Sequence, residues 1–302
     1  MRLGSLPICI DAPRVNLFPS LRGSAGRRKL PRKKNGIIKE TLVAIFPDFH
    51  MNSTFSPAEL AAYQRDGFFI TRGLFDEAEI SKLLDYAKND QAFASQLYGR
   101  KDASGKETKL ALWNTAGEDL YSMFARSPRV VDRMEQTLGG EVYLYHMKMM
   151  LKEPRVGGAW EWHQDYGYWY SNGCLLPLLA SSLIAVSRAN KANGCLQVLR
   201  GSHLMGRIDH GKTGDQTGAD LERVNVALER MELVYCECEP GDAIFFDSNL
   251  LHRSDANNSD DPRWSLICCY NARRNDPYKE SRHPKYSFLA KVGEKAICDW
   301  QE

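Results

Sequence analysis

From residue 141 onward the chain is divided into short apolar runs, at 141–151, 181–187, 195–199, 233–238, 243–247 and 264–270, separated by turn-forming residues. Runs of this length, rich in Val, Ile, Tyr and Phe, read as strands. Pro240-Gly241-Asp242 is a turn directly ahead of one of them. Strands at such spacing favour a barrel or a double-sheet jelly roll over a parallel sheet. The sequence has no internal repeat and no Gly-rich phosphate loop opening a helix.

The part before the Gly139-Gly140 break is richer in helix. Ser56-Pro57-Ala58-Glu59 is a capping box, whose hydroxyl and carboxylate satisfy orphan amides while proline takes the first helical position. That helix should run to Gly67. Residues 68–71 read as a short strand, and Asp76 with Glu79 caps a second helix to about Lys88. Two more helices are predicted at 117–125 and 128–138.

The net charge of +2 hides an asymmetry: residues 1–50 carry ten Lys/Arg against three Asp/Glu, and the remainder thirty against thirty-five. Clustered cations such as those at 22–34 can attract nucleic acid or serve as an organelle address. The stretch has little hydrophobic periodicity, however, and Met51 stands just before the first well-formed element. We therefore read 1–50 as a basic, disordered extension, or as residues ahead of a true start at Met51, and 51–302 as one domain, with no nucleic-acid partner. A hydrophobic content of 43% supplies an ample core. No apolar run approaches the roughly 18 residues of a membrane span, and no signal-peptide layout is present, so an intracellular, cytoplasmic protein without membrane association is expected. The eight cysteines show neither zinc-knuckle nor disulfide spacing, which fits a reducing compartment. All eight are expected in the core as small hydrophobes.

The segment WEWHQDYGYWY, residues 160–170, carries the chemistry. Residues two apart in an extended strand project from one face, so His163 and Asp165 can offer an imidazole nitrogen and a carboxylate oxygen to one ion. His252, which follows the Gly241-Asp242 turn and the run at 243–247, is the best third ligand. Two histidines and a carboxylate suit iron(II) and leave three coordination positions open. Eleven residues beyond His252 stands Arg263, which shares a strand face with Ser265. A guanidinium fork grips a carboxylate bidentately, and the hydroxyl adds a further bond. That is what the distal carboxylate of 2-oxoglutarate requires. Its other end would chelate iron, leaving one position for O2.

At these residues the sequence resembles the phytanoyl-CoA dioxygenase family, which includes ectoine hydroxylase, from about Phe55 to Tyr270. The family's His-x-Asp, distant His, and Arg about eleven residues later fall on His163, Asp165, His252 and Arg263. Asn193-Gly-Cys-Leu196 and Gly201-Ser-His203 look like its glycine turn and following loop, with Arg200 where proline is frequent. The resemblance implies a mainly β fold with packed helices, a double-stranded β-helix core of the jelly-roll, cupin-like kind. It also implies iron, 2-oxoglutarate and hydroxylation. The amino terminus lacks the peroxisomal targeting pattern of the acyl-CoA enzyme, so acyl-CoA is not carried over as substrate. Related halogenases replace the ligand carboxylate by a small residue, whereas Asp165 is present.

His203 competes with His252 but has no arginine at the right distance. His50, His210 and His283 lie in polar or irregular stretches, where a solvated imidazole is the default. His146 and Lys148 share a face of the strand ahead of the metal segment, and in the resembling family a polar residue there faces the cofactor pocket. His146 is thus a cofactor-site candidate. Trp169 stands six past His163, where ectoine hydroxylase has a substrate-facing tryptophan, and is the substrate-site candidate. The expected function is hydroxylation of a small organic or acyl substrate with release of succinate and CO2. The rivals are a non-redox metal enzyme and a non-catalytic, ligand-binding barrel on the same cupin-like scaffold.

Overall fold

The computed structural model describes residues 53–302 apart from Gly214; the basic tail, Cys9, His50 and Met51 lie outside the described residues. Along the chain come α1 (Pro57–Asp66), β1 (Phe68–Thr71), α2 (Glu77–Asn89), α3 (Gln91–Gln96), β2 (Tyr98–Lys101) and β3 (Glu107–Trp113). Then follow α4 (Leu120–Ala125), α5 (Pro128–Leu138), β4 (Val142–Lys152), β5 (Trp160–His163), α6 (Asp165–Trp169), β6 (Leu179–Ala185) and β7 (Leu196–Leu199). The last elements are β8 (His210–Thr213), β9 (Gln216–Ala219), α7 (Leu221–Arg230), β10 (Leu233–Cys236), β11 (Ala243–Asp247), β12 (His252–Ser254), β13 (Arg263–Ala272) and α8 (Ala296–Asp299).

Both expected capping boxes form. Ser56 accepts from the Glu59 amide while Glu59 accepts from the Ser56 amide, and Asp76 and Glu79 do the same at α2. The sheets are antiparallel, as short strands joined by turns require. The largest has seven strands in the order β1-β11-β6-β13-β4-β3-β2, a smaller one has four in the order β10-β7-β12-β5, and β8 pairs with β9 alone. The turn ahead of β11 depends on Gly241, whose φ is +92° and whose Cβ, if it had one, would lie 2.1 Å from the Phe75 carbonyl oxygen.

Alternation along the strands divides the interior. From β11, Phe245 packs into a cluster with Leu83, Phe124, Val130 and Met134 of the helices. Its neighbours Ile244 and Phe246 point the other way, into a cluster with Leu183, Ile267, Leu196 and Val198 drawn from both sheets. The large sheet therefore has helices on one face and the small sheet on the other. Each fully buried Phe or Leu contributes roughly 1.5–3 kcal/mol relative to exposure. This is the expected β-rich core with packed helices.

The cysteines correct one expectation. Cys174, Cys195, Cys236, Cys238, Cys268 and Cys269 are buried, but Cys298 is exposed. It lies in α8, a four-residue helix with Ile297 as its buried residue, so only that position reaches the interior.

Candidate functional site

His163 ends β5 and His252 begins β12, and the two are direct partners across that strand pair. Their rings lie 4.0 Å apart between centroids. In each, Nδ1 faces a carbonyl, that of Glu161 at 2.7 Å and that of Leu250 at 2.9 Å. A carbonyl only accepts, so Nδ1 carries the proton and the Nε2 lone pair is left for another partner. Burial holds both imidazoles below their usual pKa, which keeps those lone pairs unprotonated.

Asp165 reaches the same point differently from the expectation. It does not continue the strand but opens α6, the chain bending directly after the still-extended Gln164. The Gln164 side-chain amide donates to the Gly206 and Asn249 carbonyls at 2.7 Å each, and the Gln164 backbone N–H donates to His210 Nε2. His210, expected to be solvated, is instead half-buried and helps to fix this bend. Asp165 Oδ1 then lies 3.7 Å from His163 Nε2 and 3.9 Å from His252 Nε2. Ligand atoms from the three buried residues lie within 4.8 Å of one another, a spacing that one metal ion can bridge. His203 is not in the group; its Nε2 bonds the Gln64 carbonyl.

Arg263 and Ser265 occupy adjacent same-face positions of β13, opposite Lys152 and Met150 of β4. Both are buried, and Arg263 Nε and Nη1 and Ser265 Oγ have no hydrogen-bond partner among the described residues. Burial draws the guanidinium pKa down to about 10, so it stays cationic at neutral pH. An unpartnered buried cation costs several kcal/mol, on the order of 3–5, and calls for an anion. Arg263 lines a small cavity together with His163, Asp165 and His252. The distal carboxylate of 2-oxoglutarate matches these donors, and its keto-acid end matches a metal position among His163, Asp165 and His252.

His146, expected beside the cosubstrate, lines a second and larger cavity, of about 350 Å³, that shares His163, Asp165 and Lys148 with the first. Trp169 lines it too, and its ring meets those of His146 and Tyr145 edge-on. Here the structure brings in residues that sequence reading left out. Asn114 and His283 line the cavity, and His283 is 7% exposed, not solvated. His283 stacks on His146 at 5.0 Å and faces Asn114 Oδ1 through Nδ1 at 3.3 Å. No periodicity surrounds His283, so no local signal marked it. Ser181, whose Oγ donates to Asp165 Oδ2 at 3.0 Å, was missed because it is one of two adjacent serines within an otherwise apolar strand.

Two sheets enclosing a His-Asp-His group, with a buried guanidinium nearby, define a non-haem iron oxygenase on a double-stranded β-helix. The phytanoyl-CoA dioxygenase family model matches residues 63–265, and the chain belongs to that family. It is 24% identical over 275 residues to ectoine dioxygenase of Bordetella parapertussis, covering 85% of this chain and 89% of that one. It is 29% identical over 184 residues to L-proline trans-4-hydroxylase of Streptomyces griseoviridis, covering 55% and 68%. The crystal structure of EctD from S. alaskensis with 2-oxoglutarate and 5-hydroxyectoine is similar in fold, with a TM-score of 0.68 and 24% identity over 79% of this chain and 87% of that one. Among the described residues no helix is long and apolar enough to cross a membrane.

Proposed function

We propose that the chain hydroxylates a small organic substrate, with iron(II) held by His163, Asp165 and His252 and 2-oxoglutarate held by Arg263 and Ser265. When bound, iron and 2-oxoglutarate supply the oxidising chemistry: one atom of O2 enters a substrate C–H bond, the other enters succinate, and CO2 leaves. The chain's own groups do the positioning. Neutral Nε2 atoms of the two histidines and Oδ1 of Asp165 occupy one side of the metal position and leave the other open. Arg263 and Ser265 hold the distal carboxylate, and the guanidinium fork fixes its direction. Trp169 and His146 bound the substrate side.

The observation that carries this reading is the pair of unsatisfied buried donors, Arg263 and Ser265, of which Arg263 lines one cavity with the three-ligand group. A non-redox metal site would leave that guanidinium without an anion. The test is succinate production under air with iron(II) and 2-oxoglutarate. Formation that rises on adding a substrate supports hydroxylation, and its complete absence with iron bound would favour a non-redox barrel.

A further inference from the structure

Strand β5 carries His163 at its end and is an edge strand of the small sheet, so among the described residues no strand pairs with its outer side. In extended chain, residues two apart turn their N–H and C=O groups to the same side. On that open side the Glu161 N–H donates to Gln216 Oε1 at 2.9 Å, and the Ala159 carbonyl accepts from Gln216 Nε2 at 3.0 Å. One side-chain amide thus stands where a neighbouring strand's peptide group would. Its Nε2 also donates to the carbonyl of Lys101, the last residue of β2, at 3.3 Å.

Gln216 opens β9, is 5% exposed and lines the larger cavity. Its orientation follows from its partners: an N–H only donates and a carbonyl only accepts, so Oε1 faces Glu161 and Nε2 the two carbonyls. Of the side chains of similar length, ionised glutamate lacks a donor, lysine lacks an acceptor, and methionine has no strong one of either kind. Glu161 is also the residue whose carbonyl faces His163 Nδ1 at 2.7 Å. Gln216 holds its N–H and His163 its C=O, so a shift of Glu161 would turn the imidazole. The same hairpin meets the chain beyond the ligands. The Tyr168 hydroxyl donates to the Thr217 carbonyl at 2.6 Å, and the Tyr168 ring lies 5.6 Å from that of His163.

We propose that Gln216 is a positioning residue for the metal site: by holding Glu161 it fixes the direction and tautomer of the His163 imidazole, so that Nε2 stays aimed at the position shared with Asp165 and His252. This inference rests on the proposed function only in taking His163 as a metal ligand.

The test uses the full chain and two variants. Gln216→Met removes acceptor and donors together, whereas Gln216→Glu keeps an acceptor for the Glu161 N–H and loses the donors to the two carbonyls. Cobalt(II) bound in place of iron shifts the exchangeable Nδ1 proton of each histidine that holds it, which proton NMR resolves as separate signals. The wild type should show two. In Gln216→Met one of them should move or be lost to exchange with water while the other stays. Anaerobic titration should show iron(II) bound about 10–100-fold more weakly by that variant, the range for groups that orient a metal ligand. Gln216→Glu should restore both signals and most of the affinity, even though a carboxylate facing two carbonyls lowers the melting temperature. Unchanged signals or unchanged affinity in Gln216→Met, both signals disturbed alike, or equal losses of affinity in the two variants would each overturn the inference. Should the methionine variant not fold, Gln216→Asn, whose amide is one methylene short of Glu161, takes its place with the same expectation. Failure of the proposed function reads separately, as a wild-type chain in which cobalt shifts no histidine signal, and then both readings fall.

Discussion

The Ser181 hydroxyl donates to one carboxylate oxygen of Asp165, Oδ2 at 3.0 Å, and leaves the other, Oδ1, facing His163 and His252. Ser181 belongs to β6 of the large sheet, while the histidines belong to β5 and β12 of the small one. The carboxylate is therefore aimed from across the interior, and its direction depends on the two sheets keeping their separation. Outer partners of this kind typically tune metal affinity by about 10–100-fold. Ser181→Ala should weaken iron(II) binding within that range while leaving the melting temperature within a few degrees, because the change is small. Equilibrium iron titration checks it; unaltered affinity would mean that Asp165 is oriented by other contacts.

Arg263→Lys keeps the charge but loses the planar fork. The apparent KM for 2-oxoglutarate should rise at least about tenfold with iron binding retained. A cosubstrate titration that overlays on the wild type would place the distal carboxylate elsewhere.

Gly167 lies in α6, and a Cβ there would approach the His210 ring to 2.2–2.4 Å. Gly167→Ala should push His210 off the Gln164 amide and disturb the bend that presents Asp165, at a cost of about 1–3 kcal/mol. Urea unfolding measures the stability and iron titration the site. Wild-type values in both would show that this contact relaxes freely.

How far the sequence led follows from where each signal resides. The run at 243–247 was readable as a strand because apolar residues alternate between two buried faces, and the capping boxes were readable because their partners are three residues apart. The His163-Asp165-His252 grouping could be inferred from residue types and spacing, although the bend at Gln164 could not. It is set by Gly206, His210 and Asn249, all distant in sequence. Strand β2 escaped notice because all four of its residues are exposed and polar or aromatic at one end, leaving no alternation. Helix α7 did carry a signal in its Asp220 cap and its buried Val224 and Ala227 three apart, which was overlooked. The cavity wall formed by Arg282 and His283 belongs to irregular chain, where placement depends on tertiary contacts alone.

His283 also gives a pH dependence. Burial, then Arg282 and Lys148, hold its folded pKa at about 4, and the stacked His146 imidazole is likewise kept neutral by burial. An unfolded histidine titrates near about 6.5. Between these values the unfolded chain takes up a proton that the folded one refuses, so stability is full above the upper value and falls as pH drops through the window. His283→Asn should make the fall in melting temperature from pH 6.5 to 4 shallower. An identical slope would show that His283 does not contribute.

The central claim is that His163, Asp165 and His252 hold one iron(II) to which 2-oxoglutarate binds. It is tested most directly by anaerobic titration of metal-free protein with iron(II) in the presence of 2-oxoglutarate, read through the metal-to-ligand charge-transfer band. The wild type should develop the band and saturate at one iron per chain, and Asp165→Ala should bind iron more weakly and form no succinate above background when air is admitted. A wild-type chain that gives no band, or an alanine variant with undiminished succinate formation, would contradict the account.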